Sequence, residues 1–497
     1  MRVLPHFLRR SLRLSVLVGL GLVNGVSAQA PQQPANLPPT PTAADSQGYT
    51  GSSSQETPAI PGTVEPSGAG SANQGASPSV WSKVPPAITF TRLGGFWVLP
   101  TGPGYYSFCD FVTDNCREKP PIYSWPPFGL DIVPFYDNNF RYLDDPNNTQ
   151  FDYMDLVKRI HFGDCWLLSV GGEERMRYAN EVDSRLSGRN NTFELLRSRL
   201  YGDLWYGDRF RIYAEYIDAR TYNEDLPPLA SDVNKSDFLN LFVDVKIAEF
   251  DNNPVYVRGG RQELNYGSQR LISQTDWPNA NRTFDGVKAL WHSEKLDVDA
   301  FGTRPVIVNP TRFDSENDKA TFAGFWSTYR PAKGQAIDLY YLYLDNATPI
   351  IQRPARGTRG GFDVNTVGSR YYGDYNVLLW DFEGMYQFGE HGSQATSAGA
   401  ATTGLGVHFA NAPMNPNLWV YYDFASGNHD PGHDHFGTFN QLFPNGHAYF
   451  GWTDLVGRQN IQDLNFQAAL FPTKWIIAGL QYHILRLDAS KDALYNA

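Results

Sequence analysis

The sequence predicts an all-β protein, an antiparallel transmembrane barrel of the outer-membrane type. Three observations predict it. Between residues 163 and 486, stretches of roughly eight to fourteen residues alternate apolar with polar side chains and close on Gly, Asp, Asn or Pro, as half-lipid, half-water strands do. The connections between them alternate between tight and long. The chain opens on an export signal.

That signal comes first in chain order. Arg2, Arg9, Arg10 and Arg13 precede an apolar run over 14–23, and Val26, Ser27 and Ala28 form a small-residue cleavage site, so 1–28 reads as a signal peptide. No cysteine for lipid attachment follows it. Residues 29–86 are rich in Pro, Gly, Ser, Ala, Gln and Thr and bury too little apolar surface to offset chain entropy; they read as a disordered periplasmic tether, with a cell-wall or partner-binding arm as the alternative. Residues 87–150 set Trp97, Tyr105, Tyr106, Trp125, Phe128 and Tyr136 among prolines and glycines. This is the pattern of an irregular lead-in packed on or inside the barrel mouth, or of a small soluble subdomain. Cys109 and Cys116 lie close enough in sequence to pair or to stay as thiols, leaving Cys165 odd.

Residues 151–497 carry the barrel pattern. The mean hydropathy of -0.41, with no mature run of some twenty apolar residues, excludes a helical membrane protein but not a barrel. In the first strand, Trp166, Leu168, Val170, Met176 and Tyr178 share one face, while Ser169, Gly171, Glu173, Arg175 and Arg177 share the other. About fourteen such strands can be read. The clearest hairpin joins 194–204 to 209–218 through Tyr206, Gly207 and Asp208; later candidates include 375–388 and 405–409. Trp205, Trp291, Trp326, Trp380, Trp419 and Trp475 are expected in the aromatic girdles. Tight connections at 206–208, 251–254, 292–295 and 331–334 alternate with long ones at 180–192, 220–237, 262–283 and 304–320. The rhythm breaks beyond Asp345, which predicts a strand hidden in 346–374 and leaves 426–462 on neither side. Each of 262–283, 346–374 and 426–462 is long enough to fold into the pore. The chain ends on Ala497 rather than on a strand with a terminal aromatic, as a C-terminally incomplete barrel would.

Three stretches are too particular for a generic barrel: Gly259-Gly260-Arg261-Gln262-Glu263-Leu264 running on through Tyr266-Gly267-Ser268-Gln269-Arg270-Leu271; Arg282-Thr283-Phe284-Asp285-Gly286-Val287; and Phe443-Pro444-Asn445-Gly446-His447 followed by Asp454-Leu455-Val456-Gly457-Arg458-Gln459-Asn460. With Gly171-Gly172-Glu173-Glu174-Arg175-Met176-Arg177-Tyr178, they resemble the alginate export family of outer-membrane porins over roughly 155–497. The resemblance implies an eighteen-stranded monomeric barrel with an arginine-rich lumen, through which an anionic uronate polymer crosses the outer-membrane lipid, and contact with periplasmic or cell-wall components.

The residues fit part of that picture. Arg175, Arg177, Arg197, Arg199, Arg211 and Arg258 fall on the predicted inner face, and Lys246 and Lys288 continue the side. Guanidinium forks hold carboxylates bidentately, so such a row suits a polyuronate. Glu173, Asp203, Glu215, Asp244, Asp297, Asp299, Asp381 and Glu383 share the same face, so a lumen braced by ion pairs is the other reading. His429, Asp430, His433, Asp434 and His435 bring together groups that suit a divalent cation, or are simply solvated loop residues. Gly259-Gly260 reads as a bulge or close backbone approach, since no helix follows it to make a phosphate loop. No cofactor and no nucleic-acid partner is expected. A general or nutrient-uptake porin is the alternative function; a secreted β-rich polysaccharide enzyme using Asp381 and Glu383 is a more distant one.

Overall fold

The computed structural model describes residues 134–137, 140–144, 156–350, 360–409, 412–414, 416–431, 435–473 and 476–496. Within them lies a sheet of eighteen strands. Fifteen are long: β2 (Trp166–Glu181), β3 (Asn191–Tyr206), β4 (Phe210–Tyr222), β5 (Asn234–Phe250), β6 (Asn253–Gln262), β7 (Phe284–His292), β8 (Leu296–Ile307), β10 (Ala320–Tyr329), β11 (Gln335–Ile350), β12 (Gly360–Tyr375), β13 (Leu378–His391), β14 (Gln394–His408), β15 (Asn417–Ala425), β17 (Ile461–Thr473) and β18 (Ile476–Arg486). Three are short pieces: β1 (Ile160–Phe162) on the start of β2, β9 (Ser315–Glu316) on the end of β8, and β16 (His435–Phe436), which pairs parallel to β14. Each long strand pairs antiparallel with the next from β2 to β18. The ladders thus form one continuous antiparallel run from β2 to β18.

Alternation sets the two faces. Along β13, Leu378, Trp380, Phe382, Gly384, Tyr386 and Phe388 point outward while Leu379, Asp381, Glu383, Met385 and Gln387 point in and are buried. Ten residues at about 3.4 Å each, tilted by about 40°, give an apolar band about 25 Å high, the height of a barrel's lipid-facing belt. The hydrophobic core lies inside the barrel: Leu264, Tyr266, Leu271 and Ile272 from the β6–β7 connection pack on Phe284, Phe301, Phe322 and Trp326 of the wall.

The tight connections, such as Asp251 and Asn252 or Asn376 and Val377, fall at one end of the strands, and 182–190, 223–233, 263–283, 308–319 and 426–460 at the other. The single break in the rhythm at the long-loop end is the two-residue turn Gly392 and Ser393. Residues 426–460 thereby take a side, the same end as 263–283. The strand predicted inside 346–374 is β12, so that segment is mostly wall and not a pore loop; its remaining connection, 351–359, lies outside the described residues. The 405–409 candidate is the last third of β14, and the 375–388 candidate starts in β12 and stops short of the end of β13.

The girdle expectation needs correcting at three positions. Trp205, Trp326 and Trp419 are buried on the inner face. Trp326 stacks on Tyr340 at 4.2 Å and on Tyr266 at 5.3 Å. Trp419 and Tyr421 lie flat over β14, where a Cβ on Gly406 or Gly404 would come within 2.5 Å and 2.2 Å of their rings. A lumen filled by the chain's own loops offers apolar surface inside as well as outside, so a tryptophan on a strand is not tied to the lipid face. Trp291 and Trp380 are half-buried, and Trp475 lies outside the described residues. Gly260 is a close approach rather than a bulge: it has φ +129°, a Cβ there would sit 2.3 Å from the Leu241 carbonyl, and the β5–β6 register runs unbroken past it.

Candidate lumen site

The arginine positions follow from parity. On β3, Arg197, Arg199, Tyr201, Asp203 and Trp205 all face inward, and the β2–β3 and β3–β4 registers set Arg197 opposite Arg175 and Tyr201 opposite Glu215. Each of four arginines is held by a wall carboxylate. Arg197 Nε donates to Glu173 at 2.7 Å, Arg199 Nε to Glu215 at 2.6 Å, Arg211 Nε to Asp203 at 2.7 Å, and Arg258 Nε to Asp244 at 2.7 Å. The bracing predicted as an alternative is therefore present. It does not exhaust these side chains, whose remaining donors reach toward the lumen.

Two of them, Arg197 and Arg199, meet the β6–β7 loop, 263–283, together with Arg175 and Arg177 of β2. Arg197 Nη2 donates to Asp276 Oδ1 at 2.8 Å, with Arg199 Nη1 3.4 Å from the same oxygen. Arg175 donates to the carbonyls of Asp276 at 2.7 Å and Pro278 at 2.5 Å, and Arg177 to that of Trp277 at 2.6 Å. Four of the eight predicted lumen cations thus converge on three successive loop residues. Burial pushes the Asp276 carboxyl up, but the guanidinium groups of Arg197, Arg175 and Arg199 outweigh it and hold the group below the usual carboxylate range.

The same loop is fixed at the opposite wall with reversed charge. Arg270 donates to Asp381 Oδ2 at 2.7 Å and to Glu383 Oε2 at 2.8 Å, both on β13. Arg370 of β12 holds the other oxygen of Asp381 at 2.7 Å, and the Tyr340 hydroxyl donates to Glu383 Oε1 at 2.9 Å. The loop is a strut across the pore, with a cation at one end and an anion at the other.

A second infolded loop, 426–460, locks onto the first. Ser273 N–H donates to the Phe443 carbonyl, Phe443 N–H to the Leu271 carbonyl and Asn445 N–H to the Gln269 carbonyl, each at 2.9 Å. The Phe443 ring enters between Phe284 (5.1 Å) and Phe322 (4.8 Å), and Arg282 donates to the carbonyls of Ser273 and Pro444. Trp277 stacks on His447 at 4.1 Å. Arg458 donates to Asp423 at 2.7 Å. The stretches that looked too particular for a generic barrel are, in large part, the contact between these two loops and the wall beneath them.

From the tight-turn end a third segment enters, the 3-10 turn Phe135–Asp137. Arg199 covers the Phe135 ring at 4.1 Å, Arg258 covers Tyr136 at 4.6 Å, and Arg211 donates to the Tyr136 carbonyl at 2.7 Å. The Tyr136 hydroxyl donates to the Glu263 carbonyl at 2.9 Å, where lead-in and loop meet.

The sequence matches the alginate export family over residues 166–497, two thirds of its length. The chain belongs to the alginate export family. As a member of it, the protein is an outer-membrane β-barrel channel. No curated protein matches the sequence. Solved structures to which it is similar include OccD3 (OpdP) of Pseudomonas aeruginosa, 12% identical with 66% of this chain and 88% of that chain covered at a TM-score of 0.32. OccK8 (OprE) of the same organism is 9% identical, with 64% and 83% covered at 0.43. OccAB1 of Acinetobacter baumannii is 12% identical, with 65% and 78% covered at 0.40. The barrel rests on the strand ladders and the family.

The remaining predicted residues of this alginate export family member lie apart from the strut. Lys246 is near the tight-turn end between Asp208 and Glu249, at 2.8 and 2.7 Å. Lys288 faces Asp299 at 3.5 Å. Of the metal candidates, His429 Nε2 lies 2.9 Å from Asp488, His435 opens β16 in an exposed position, and His433 and Asp434 are outside the described residues, as are Cys109 and Cys116. Among the described residues no group of three or more potential ligands is placed to hold a metal. Cys165 carries no disulfide. The sequence reading missed Asp276 as the partner of the arginines, and Arg270 except as part of a motif; neither lies in a periodic stretch.

Proposed function

We propose that this channel conducts an anionic polysaccharide, an alginate-like polyuronate or its oligomers, by passive diffusion along the arginine-bearing wall of β2, β3, β4 and β6. The observation that carries the reading is the occupancy of that wall by Asp276: three guanidinium groups gather around one carboxylate. A uronate presents the same carboxylate, with hydroxyls that can accept where the loop carbonyls now do. In this reading the loop holds the place of cargo in the closed lumen and gives way to it. Arg197, Arg199, Arg211 and Arg258 keep their wall carboxylates throughout, which neutralises much of their charge and lets a polymer slide rather than stick.

The pairing of Asp381 and Glu383 with Arg270 disfavours the enzyme alternative, since both carboxyls are taken up in bracing the loop against the wall. A general uptake porin is the competing function. Single-channel conductance of the refolded full-length protein in planar bilayers, titrated with oligouronates and with neutral oligosaccharides of equal size, separates the two. Selective block by the uronates, weakened in Arg197→Ala and Arg199→Ala, is expected. Equal indifference to both sugars would sink the polyuronate reading and leave the channel standing.

A further inference from the structure

The segment Phe135–Asp137 contributes nothing to the wall, yet its three residues are buried inside it. Its contacts are of two kinds. The rings pack among Tyr201, Tyr213 and Phe242, with centroids 5.1 to 5.4 Å apart. Its polar groups take up lumen cations: the Tyr136 carbonyl takes Arg211, while the Phe135 and Tyr136 ring faces lie against Arg199 and Arg258. Along β3 the order is telling. Arg197 and Arg199 hold the loop that descends from the long-loop end, and Tyr201, nearer the tight turn, takes the lead-in. Among the described residues the wall is therefore covered from both ends.

We propose that Phe135, Tyr136 and Asp137 form an autoinhibitory plug, which closes the arginine-bearing wall from the tight-turn side and withdraws when the channel conducts. The inference rests on the channel reading but not on the identity of the cargo. Asp137 gives the plug a release. Its carboxylate is buried, and Oδ2 has no hydrogen-bond partner. Arg211 on β4, Arg258 on β6, and Lys288 and His292 on β7 face it. Asp244 on β5 lies between the two guanidinium groups, 2.7 Å from Arg258 and 3.5 Å from Arg211; Glu263, just past β6, faces the adjacent Tyr136. Burial nevertheless wins over those cations and pushes the Asp137 carboxyl up to about 7. A carboxyl raised on docking favours the docked state most below its free value. That advantage is lost as pH rises toward the docked value, and docking is expected to weaken about tenfold between pH 6 and pH 8.

The test is open-channel fraction in potassium chloride alone, without sugar, so that failure of the plug cannot be confused with failure of the cargo assignment. Wild type, Asp137→Asn and the double variant Phe135→Ala/Tyr136→Ala are compared as full-length protein at pH 6 and pH 8. The plug predicts that wild type opens several-fold more at pH 8, that Asp137→Asn stays as closed at pH 8 as at pH 6, and that the double variant opens more than wild type at pH 6 and does not respond to pH. A double variant that runs as a folded, heat-modifiable barrel and opens no more than wild type at pH 6 overturns the proposal. Should that variant not fold, the other two decide: wild-type opening that ignores pH, or that changes equally in Asp137→Asn, also overturns it.

Discussion

Asp276→Asn is the sharpest perturbation of the proposed cargo site. The amide is isosteric and can still accept the 2.8 Å bond from Arg197; only the charge is removed. The site is nearly dry, with Arg197 fully buried and Arg199 and Asp276 almost so. Removing one partner of a buried ion pair costs about 3–5 kcal/mol, and the retained hydrogen bond favours the lower end, about 3 kcal/mol. At about 1.4 kcal/mol per decade, that is about a hundredfold in the ratio of docked to undocked loop near Asp276. The carbonyl bonds from Arg175 and Arg177 and the Arg270 anchor survive, so the barrel should keep its heat-modifiable gel band. In planar bilayers the variant should open more often, and oligouronates should block it at least about tenfold more tightly, because their competitor has lost its charge. Asp276→Glu should behave like wild type. A folded Asp276→Asn whose uronate block constant stays within twofold of wild type refutes the reasoning.

Other predictions address the supports of the site. Arg270→Ala leaves Asp381 and Glu383 buried without their shared cation and should lower barrel stability by about 3–5 kcal/mol, read as a drop in the temperature of the gel-mobility shift. Phe443→Ala empties the space between Phe284 and Phe322 at a cost of about 3–5 kcal/mol, and should make both loops cleavable by protease in the folded barrel. Gly260→Ala meets the Leu241 carbonyl at 2.3 Å in a left-handed conformation and should reduce the refolded yield, whereas Gly259→Ala, with open space around it, should not. Because the Asp276 carboxyl is held down, its anchor is complete above the ordinary carboxylate range and lost only as pH falls through the lowered value. Uronate block should therefore be insensitive to that group between pH 5 and 8, and a change traced to Asp276 in that window would contradict the ion-pair geometry.

The fold was legible because a half-buried strand writes its two faces into alternate residues. It faded where the outer face lost contrast. β14 turns Ala395, Ser397, Gly399, Ala401 and Thr403 outward, and only Leu405 and Val407 stand out as apolar. β12 presents Asp363, Asn365 and Ser369 on its outer side. The wall arginines were legible for the same reason: parity placed Arg175, Arg197, Arg199, Arg211 and Arg258 inside. Their partners in the lumen were not, because a loop residue has no period and Asp276 lies 79 residues from Arg197. Nothing in the alternation says whether an inward arginine meets water, a wall carboxylate or a loop.

The strut also bears on the order in which the molecule is made. Asp276 needs β2 and β3, which precede it, whereas Arg270 needs β13, 111 residues later. Its brace from Phe443 arrives later still. The loop cannot seat until most of the wall stands, so a nascent barrel would carry it loose, with a buried-type cation and anion still in water. Seating then acts as a late check on assembly. A chain that misregisters anywhere between β3 and β13 would hold the two ends of the strut at the wrong span, and would betray itself as a barrel of normal secondary structure whose interior is open to protease.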